Sequence, residues 1–187
     1  MEPTDPWAPS TSWVALETLG SGAKRPFAWY LEGDTNVKPA SVDALCDWLA
    51  DCEYARDQDL FHEPDFWQHP KTFEHLRKGD CEDFALWAWR KLIELGCDAR
   101  FFIGEWRPED PPRHAWHAWV VFNHHNRQML LEPQESRDKM VLPFDAVKAQ
   151  YIPYFFVDPT CKPIAVEGYL YYLKRRDLRH ENAPHAA

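Results

Sequence analysis

The sequence predicts an α+β fold in which the helices come first and an antiparallel sheet follows. Helical patterns dominate the first half of the 187-residue chain, and a meander of strand patterns fills the second half. Such segregation of helices and strands is typical of α+β proteins. At this length we expect a single domain over residues 1–187. In it, residues 1–40 form an irregular N-terminal wrap and residues 181–187 a frayed tail.

The elements before residue 71 are predicted from capping residues and periodicity. A short strand is predicted near Phe27–Leu31. A helix is predicted over Ser41–Arg56, because Ser41 or Asp43 can cap it and apolar residues recur within it at helical spacing. The polar, proline-containing segment Asp57–Pro70 is predicted to be a connector.

The central helix is predicted over Cys81–Leu95. Asp80 is a suitable N-cap, Asp83 occupies the N3 position of a capping-box pattern, and Gly96 is the expected residue after the helix. Apolar residues cover most sides of this helix, so it is predicted to lie in the core. Five strands are predicted after it: Ala99–Trp106, Trp116–Phe122, Gln128–Glu132, Tyr151–Val157 and Ala165–Leu173.

Cys81 is the first candidate functional residue, because a thiol in the first turn of a helix feels the positive end of the helix dipole. That position favours the thiolate, which is the nucleophilic form. Asp80, Glu82 and Asp83 act in the opposite direction, since nearby negative charge raises a thiol pKa.

A hairpin around Asn123–Asn126 is predicted to bring a histidine to a carboxylate. With a two- or four-residue loop there, Trp119 faces Leu130 and His117 faces Glu132, about 4.5–5.5 Å apart at Cβ. His114 points to the opposite face of the strand, because its separation from His117 is odd. Cys81, His117 and Glu132 then form a nucleophile, a base and an orienting group, with the Cys81 N–H available to an oxyanion.

Composition excludes several other classes. The formal net charge of −9 argues against nucleic-acid and anionic-membrane partners, and no apolar run is long enough to span a bilayer. The N-terminus lacks the pattern of a signal peptide, so a cytoplasmic location is expected. Five cysteines without a CxxC motif indicate reduced thiols and neither a disulfide framework nor a zinc ribbon.

The run Gly79–Ala85, followed by His117–Val120 and then Leu131–Pro133, resembles the transglutaminase-like cysteine peptidase superfamily, and bacterial transglutaminase-like cysteine proteinases most closely. The segment Asp65–Pro70 resembles a further family motif. The resemblance covers about residues 43–135 and implies a papain-like core, with the catalytic helix packed on an antiparallel sheet.

The resemblance also implies site residues. It gives a triad of Cys81, His117 and Glu132, although the third position is usually Asp. It implies a calcium site at Asp80 and Glu82, whereas the residues alone indicate no cofactor. Acids in a first helical turn also cap the helix, and three acids supply only part of a calcium shell.

A zinc site at His114 and His117 lacks a third ligand. Three roles are open for Trp67: it lines the substrate groove, it assists the oxyanion hole, or it packs in the core.

The predicted function is that of a hydrolase, a thiol protease acting on an amide or peptide bond of a protein or peptide substrate through a thioester on Cys81. Transamidation, deamidation and glycopeptide amide cleavage share the same triad and stay open as alternatives. A non-catalytic peptide-binding module is the alternative outside enzymes.

Overall fold

The computed structural model describes residue 5 and residues 7–13, 22–23, 25–108 and 115–168. The helices are α1 (Phe27–Leu31), α2 (Val42–Ala50), α3 (Asp57–Leu60), α4 (Pro70–Leu76), α5 (Cys81–Glu94) and α6 (Phe144–Val147). The strands are β1 (Pro9–Trp13), β2 (Glu53–Tyr54), β3 (Lys78–Gly79), β4 (Ala99–Trp106), β5 (Ala115–His124), β6 (Arg127–Leu131), β7 (Val141–Pro143), β8 (Tyr151–Val157) and β9 (Pro163–Val166).

One large antiparallel sheet organises the described residues and confirms the predicted α+β class. Its seven strands lie in the order β1-β9-β8-β4-β5-β6-β7, and every neighbouring pair is antiparallel. The two short strands β2 and β3 pair in parallel in a separate small sheet just before α5. The small sheet therefore sets the position at which the central helix begins.

Helix α5 lies in the core, as its apolar pattern predicts. It begins at Cys81, as predicted, and the Asp83 carboxylate accepts a hydrogen bond from the Asp80 N–H at 3.3 Å, as a capping box requires. Gly96 follows the helix with a φ of +82°, a conformation that other residues rarely adopt. No helix among the described residues combines the length and apolar character needed to cross a bilayer.

The large sheet is covered on both faces, so β4 and β5 are buried on both sides. Ala118, Val120 and Phe122 of β5 pack in the cluster that includes the apolar residues of α5. Trp119 and Val121 alternate with them and pack on the opposite face. This alternation decides which β5 side chains can approach the helix.

The predicted hairpin forms, but its predicted register was wrong by two residues. Val121 pairs with Leu130 and His124 with Arg127, which leaves a two-residue loop of His125 and Asn126. Both loop residues have positive φ, as a tight hairpin turn requires. A shift of two residues keeps each side chain on its predicted face.

Several predicted boundaries were wrong. Phe27–Leu31 is a helix and not a strand, and strand β1 shows that the N-terminal segment is not irregular throughout. The helix predicted from Ser41 ends at Ala50, although Ser41 caps it as predicted by accepting from the Ala44 N–H at 3.1 Å. The predicted connector contains α3, and Pro70 begins α4.

The last predicted strand begins earlier than predicted, at Pro163, and residues 169–173 of its predicted range lie outside the described residues. His114 and the predicted tail over residues 181–187 lie outside them as well. The single-domain organisation and the cytoplasmic location stay predictions.

A buried ion network fixes α5 to its neighbours. Lys91 is completely buried, and its Nζ lies 3.0 Å from Glu74 Oε1 and 3.1 Å from Glu94 Oε2. The ammonium also donates to the Thr35 hydroxyl. The second oxygen of Glu74 accepts from the Asn36 N–H at 2.7 Å. The network therefore joins α5 to α4 and to the segment that precedes α2.

Replacing Lys91 with alanine is expected to lower the free energy of unfolding by about 3–5 kcal/mol, because the buried carboxylate of Glu74 would lose its counter-ion. Urea unfolding followed by circular dichroism measures this change. Lys148→Ala is the control, since the Lys148–Asp145 pair lies at the surface and its loss is expected to leave the free energy of unfolding close to that of the wild type. Equal losses in both variants would contradict the structural role of the network.

Candidate active site

Cys81 lies at the first position of α5 and lines a cleft between the helix and strand β5. Tyr54, Trp67, Trp116 and Ala118 form apolar parts of its wall. Tyr54 and Trp116 keep 57% and 50% of their surface exposed, which is unusual for large aromatic residues in this protein. The cleft therefore places Cys81, a half-buried residue, among aromatic surfaces.

The Cys81 thiol hydrogen-bonds the carboxylate of the next residue. It donates to Glu82 Oε2, with Sγ 3.3 Å from the oxygen, and the backbone of Ala118 lies near the sulfur. Burial, then the charges of Glu82 and Asp80, raises the pKa of the thiol well above its ordinary value, and the Ala118 N–H only partly opposes this. Burial therefore favours the protonated thiol despite its place at a helix N-terminus.

The structure brings His117 and Glu132 together. Nε2 of His117 lies 2.7 Å from Glu132 Oε2, and both side chains are buried. The Tyr151 hydroxyl donates to the same oxygen at 3.1 Å. The His117 ring also packs against Trp106 and Trp119, with centroid distances of 5.6 and 6.3 Å. The predicted contact between His117 and Glu132 is therefore present, although the two residues lie diagonally across the hairpin and not directly opposite each other.

The first half of β5 has an open edge. Strand β6 ends at Leu131, opposite Val120, so the backbone before Val120 has no β6 partner. The Ala118 backbone lies near the Cys81 sulfur, and Glu132 follows the last residue of β6 at the same edge. Among the hydrogen bonds of the described residues, none joins Cys81 directly to His117, whose side chain alternates with that of Ala118.

Asp57, Asp80 and Glu82 form a carboxylate cluster beside the thiol. One oxygen from each lies within 4.8 Å of the others. One oxygen of Asp57 and one of Asp80 are buried without a hydrogen-bond partner among the described residues. Burial, then the like charges of Asp80 and Asp83, raises the pKa of Glu82 well above its usual range. Unpaired buried carboxylate oxygens at this spacing fit a hard divalent cation such as calcium.

Asp83 has a different role from the other acids of the motif. Its carboxylate accepts from the Gln68 N–H at 2.7 Å and from the Gln68 side-chain amide. A Cβ on Gly79 would come within 2.3 Å of the Asp83 carboxylate, so only glycine fits there. Asp83 therefore holds the segment that carries Trp67 and Gln68 against the start of α5.

Trp67 packs mainly as a core aromatic. Its side chain is 6% exposed, and its ring contacts those of Phe27 and Phe101. Its indole N–H donates to Asp65 at 2.8 Å. Because that donor is already used, the predicted alternative of an oxyanion-hole donor has no support in this geometry.

Sequence reasoning missed Asp57 and Tyr151. Asp57 was placed in a polar connector, and Tyr151 in a strand with no role at the site. Both lie far along the chain from the residues that they contact, and neither belongs to a local motif. A position at the start of a helix or a strand was the only available signal, and it is too common to identify a site residue.

A known protein family matches the part of the chain that carries most of these residues. The model of the transglutaminase-like superfamily core matches residues 27–131, which is more than half of the chain. The chain therefore belongs to the transglutaminase-like superfamily, and the predicted resemblance is confirmed. The matched segment contains Cys81 and His117 and ends one residue before Glu132. No curated protein sequence matches the chain.

Solved structures of LapG from Legionella pneumophila are similar to this chain. One is 19% identical with a TM-score of 0.49 and covers 87% of this chain and 80% of LapG. The calcium-bound form is 17% identical with a TM-score of 0.47 and covers 86% and 84%. The EGTA-treated form is 19% identical with a TM-score of 0.46 and covers 75% and 67%. Likeness at this level carries no information about activity or ligands.

The carboxylate cluster predicts a pH-dependent stability in metal-free buffer. Burial, then the charges of Asp80 and Asp65, raises the pKa of Asp57 to about 6 from an ordinary value of 3.8. Protonated Asp57 therefore favours the folded state at low pH, and this stabilisation is lost as the pH rises through about 6. Between about pH 4.5 and 7.5 the wild type is expected to lose roughly 2 kcal/mol more than Asp57→Asn.

Urea unfolding in buffer containing EGTA measures this difference at the two pH values. Asp59→Asn is the matched control, because Asp59 lies in the same short helix but is exposed and paired with Arg56. This variant should follow the wild type. An identical pH dependence for the wild type and Asp57→Asn would show that Asp57 is already ionised at low pH.

Proposed function

We propose that this protein is a cysteine-dependent hydrolase of amide or peptide bonds, with Cys81 as nucleophile, His117 as base and Glu132 as orienting group. The observation that carries the proposal is the buried His117–Glu132 pair at the strand edge where the Cys81 sulfur meets the Ala118 N–H. A base held by a carboxylate beside a helix-terminal thiol is the arrangement that nucleophilic catalysis needs.

The proposed reaction begins with transfer of the thiol proton to His117. Since Nε2 is engaged by Glu132, Nδ1 is the ring nitrogen that receives the proton. The sulfur then attacks the amide carbonyl carbon, and the Cys81 N–H donates to the developing oxyanion. His117 returns the proton to the leaving amine as the C–N bond breaks. Water, deprotonated by His117, hydrolyses the thioester and releases the free thiol and the acid.

The proposal requires the thiol to change its hydrogen-bond acceptor. In the present geometry the thiol donates to Glu82, so the sulfur has to turn from Glu82 towards His117 before reaction. Catalytic hydrogen bonds are often long or misaligned before substrate binds. A cation or another hydrogen-bond donor that engages the Glu82 carboxylate would release the thiol from this contact.

Asp57, Asp80 and Glu82 would hold a calcium ion beside the thiol. The ion would supply positive charge that offsets the carboxylates around the nucleophile. Three carboxylates provide part of the six to eight oxygens that calcium takes, and backbone carbonyls and water would supply the others. Asp57 extends the two-residue site that the sequence predicts.

The proposed substrate is a protein or peptide segment that enters the cleft between Tyr54 and Trp116. These exposed rings can pack on side chains next to the cleaved bond, because aromatic residues contribute large contact areas at recognition sites. Hydrolysis and transfer to an amine share the thioester and differ only in the acceptor that resolves it.

The triad is tested by single substitutions. Cys81→Ala is expected to abolish turnover, His117→Ala to lower kcat/KM by about 10²–10⁴-fold, and Glu132→Gln by about a hundredfold. The assay incubates the protein with a peptide library from a protein digest, glutaminyl peptides plus an amine, and Asn-linked glycopeptides. Mass spectrometry then detects new termini, new amide bonds or released glycans.

Cys97→Ala and His124→Ala are the matched controls, because both residues border a cavity at the far end of β5. They are expected to keep wild-type turnover. Binding of a library peptide that survives Cys81→Ala, with no product in any arm, would contradict the hydrolase and favour a peptide-binding module.

Calcium is expected to bind the carboxylate cluster and to stabilise the fold. At a calcium concentration of about a hundred times Kd, the gain in the free energy of unfolding is about 2.7 kcal/mol. Titration calorimetry and thermal unfolding measure the two effects. Asp57→Asn should weaken binding at least about tenfold, since it removes one charged ligand.

Asp59→Asn serves again as the control and should bind calcium like the wild type. Equal calcium affinity in the wild type and Asp57→Asn would remove Asp57 from the site. The absence of any binding would leave the acids with capping and positioning roles.

A further inference from the structure

We propose that Tyr151 is a positioning residue of the active site, whose hydroxyl fixes the Glu132 carboxylate in the plane that orients His117. This inference rests on the proposed function, since it assigns the residue that makes a glutamate serve as the orienting group. It extends the site from three side chains to four.

The contacts place Tyr151 directly behind the orienting carboxylate. Its hydroxyl donates to Glu132 Oε2 at 3.1 Å, and the same oxygen lies 2.7 Å from His117 Nε2. Tyr151 and Glu132 are each 3% exposed. Two donors thus converge on one buried oxygen, and water competes little for it.

Glu132 needs such a second contact because little else restrains its carboxylate. The residue follows the end of β6, where its backbone N–H donates to the Met140 carbonyl at 2.8 Å. The other oxygen, Oε1, is buried without a hydrogen-bond partner among the described residues. The terminal torsion of a glutamate is broad, so rotamer preference alone does not fix the carboxylate plane.

Tyr151 is itself held rigidly. It begins β8, where it pairs with Trp106 of β4, and its ring packs against Trp119 with a centroid distance of 5.0 Å. Trp106 and Trp119 are also the two rings that pack against His117. One aromatic cluster therefore holds both the donor and the imidazole, with the carboxylate between them.

Strand β8 supplies a matched control in Tyr154. Tyr154 is also buried, and its hydroxyl donates to a glutamate, Glu105, at 2.9 Å. That contact does not involve Glu132 or His117. Tyr151→Phe and Tyr154→Phe thus remove the same atom from the same strand in two different places.

The first test compares steady-state kinetics on a substrate from the library. Tyr151→Phe is expected to lower kcat about tenfold with KM unchanged, because Tyr151 acts on the base and does not line the cleft. Tyr154→Phe is expected to keep the wild-type kcat. In a Glu132→Ala background, Tyr151→Phe should have no further effect, since the acceptor of the Tyr151 hydroxyl is gone.

The second test needs no substrate. Side-chain ¹⁵N NMR of the histidines reports the protonation and hydrogen bonding of His117 Nε2. Tyr151→Phe should shift that resonance, and Tyr154→Phe should leave it in place. Circular dichroism and thermal unfolding establish that both variants fold.

The outcomes separate the inference from the proposed function. If the wild type turns over no substrate, the hydrolase proposal fails, and the NMR comparison still decides whether Tyr151 orients His117. If the wild type is active but Tyr151→Phe matches Tyr154→Phe in kcat and in the His117 resonance, Tyr151 is only a structural residue. A full kinetic effect of Tyr151→Phe in the Glu132→Ala background would also overturn the inference.

Discussion

The contact between the start of α5 and the open edge of β5 is the constraint on which the site depends. The Ala118 N–H lies near the Cys81 sulfur, and β6 ends opposite Val120, before it could pair with Ala118. The same early end places Glu132 beyond the ladder, where its carboxylate bonds His117. A longer β6 would pair the donor and close the edge, so strand length and site geometry are physically linked.

The first turn of α5 concentrates more negative charge than a helix end needs. Asp83 closes the cap and anchors Gln68, so its carboxylate is fully engaged. Asp80 and Glu82 are left beside the thiol together with Asp57, and burial with mutual repulsion favours their protonated forms. Burial opposes the helix dipole at Cys81, and so does any charge that Glu82 and Asp80 carry when ionised, so the pKa of the thiol is raised.

The rigidity of this region comes from contacts on both sides of the sheet. On one side, the buried Lys91 network joins α5 to α4 and to the chain before α2. On the other side, Trp106, Trp119 and Tyr151 surround the His117–Glu132 pair. Cys81 and His117, the proposed nucleophile and base, thus pack against clusters on opposite faces of the sheet.

The sequence by itself determined the elements whose periodicity is strong. Helix α5 and strands β4 and β8 lie where they were predicted, and the α+β fold class followed from such elements. It also determined that His117 and Glu132 share a face, because the two-residue error in register preserves a period of two. Only the tertiary structure decided three contacts. Asp57 lies in the carboxylate cluster, Glu82 accepts a hydrogen bond from the Cys81 thiol, and the Tyr151 hydroxyl donates to Glu132. These contacts join residues whose positions depend on packing between distant segments, and local patterns contain no information about that packing.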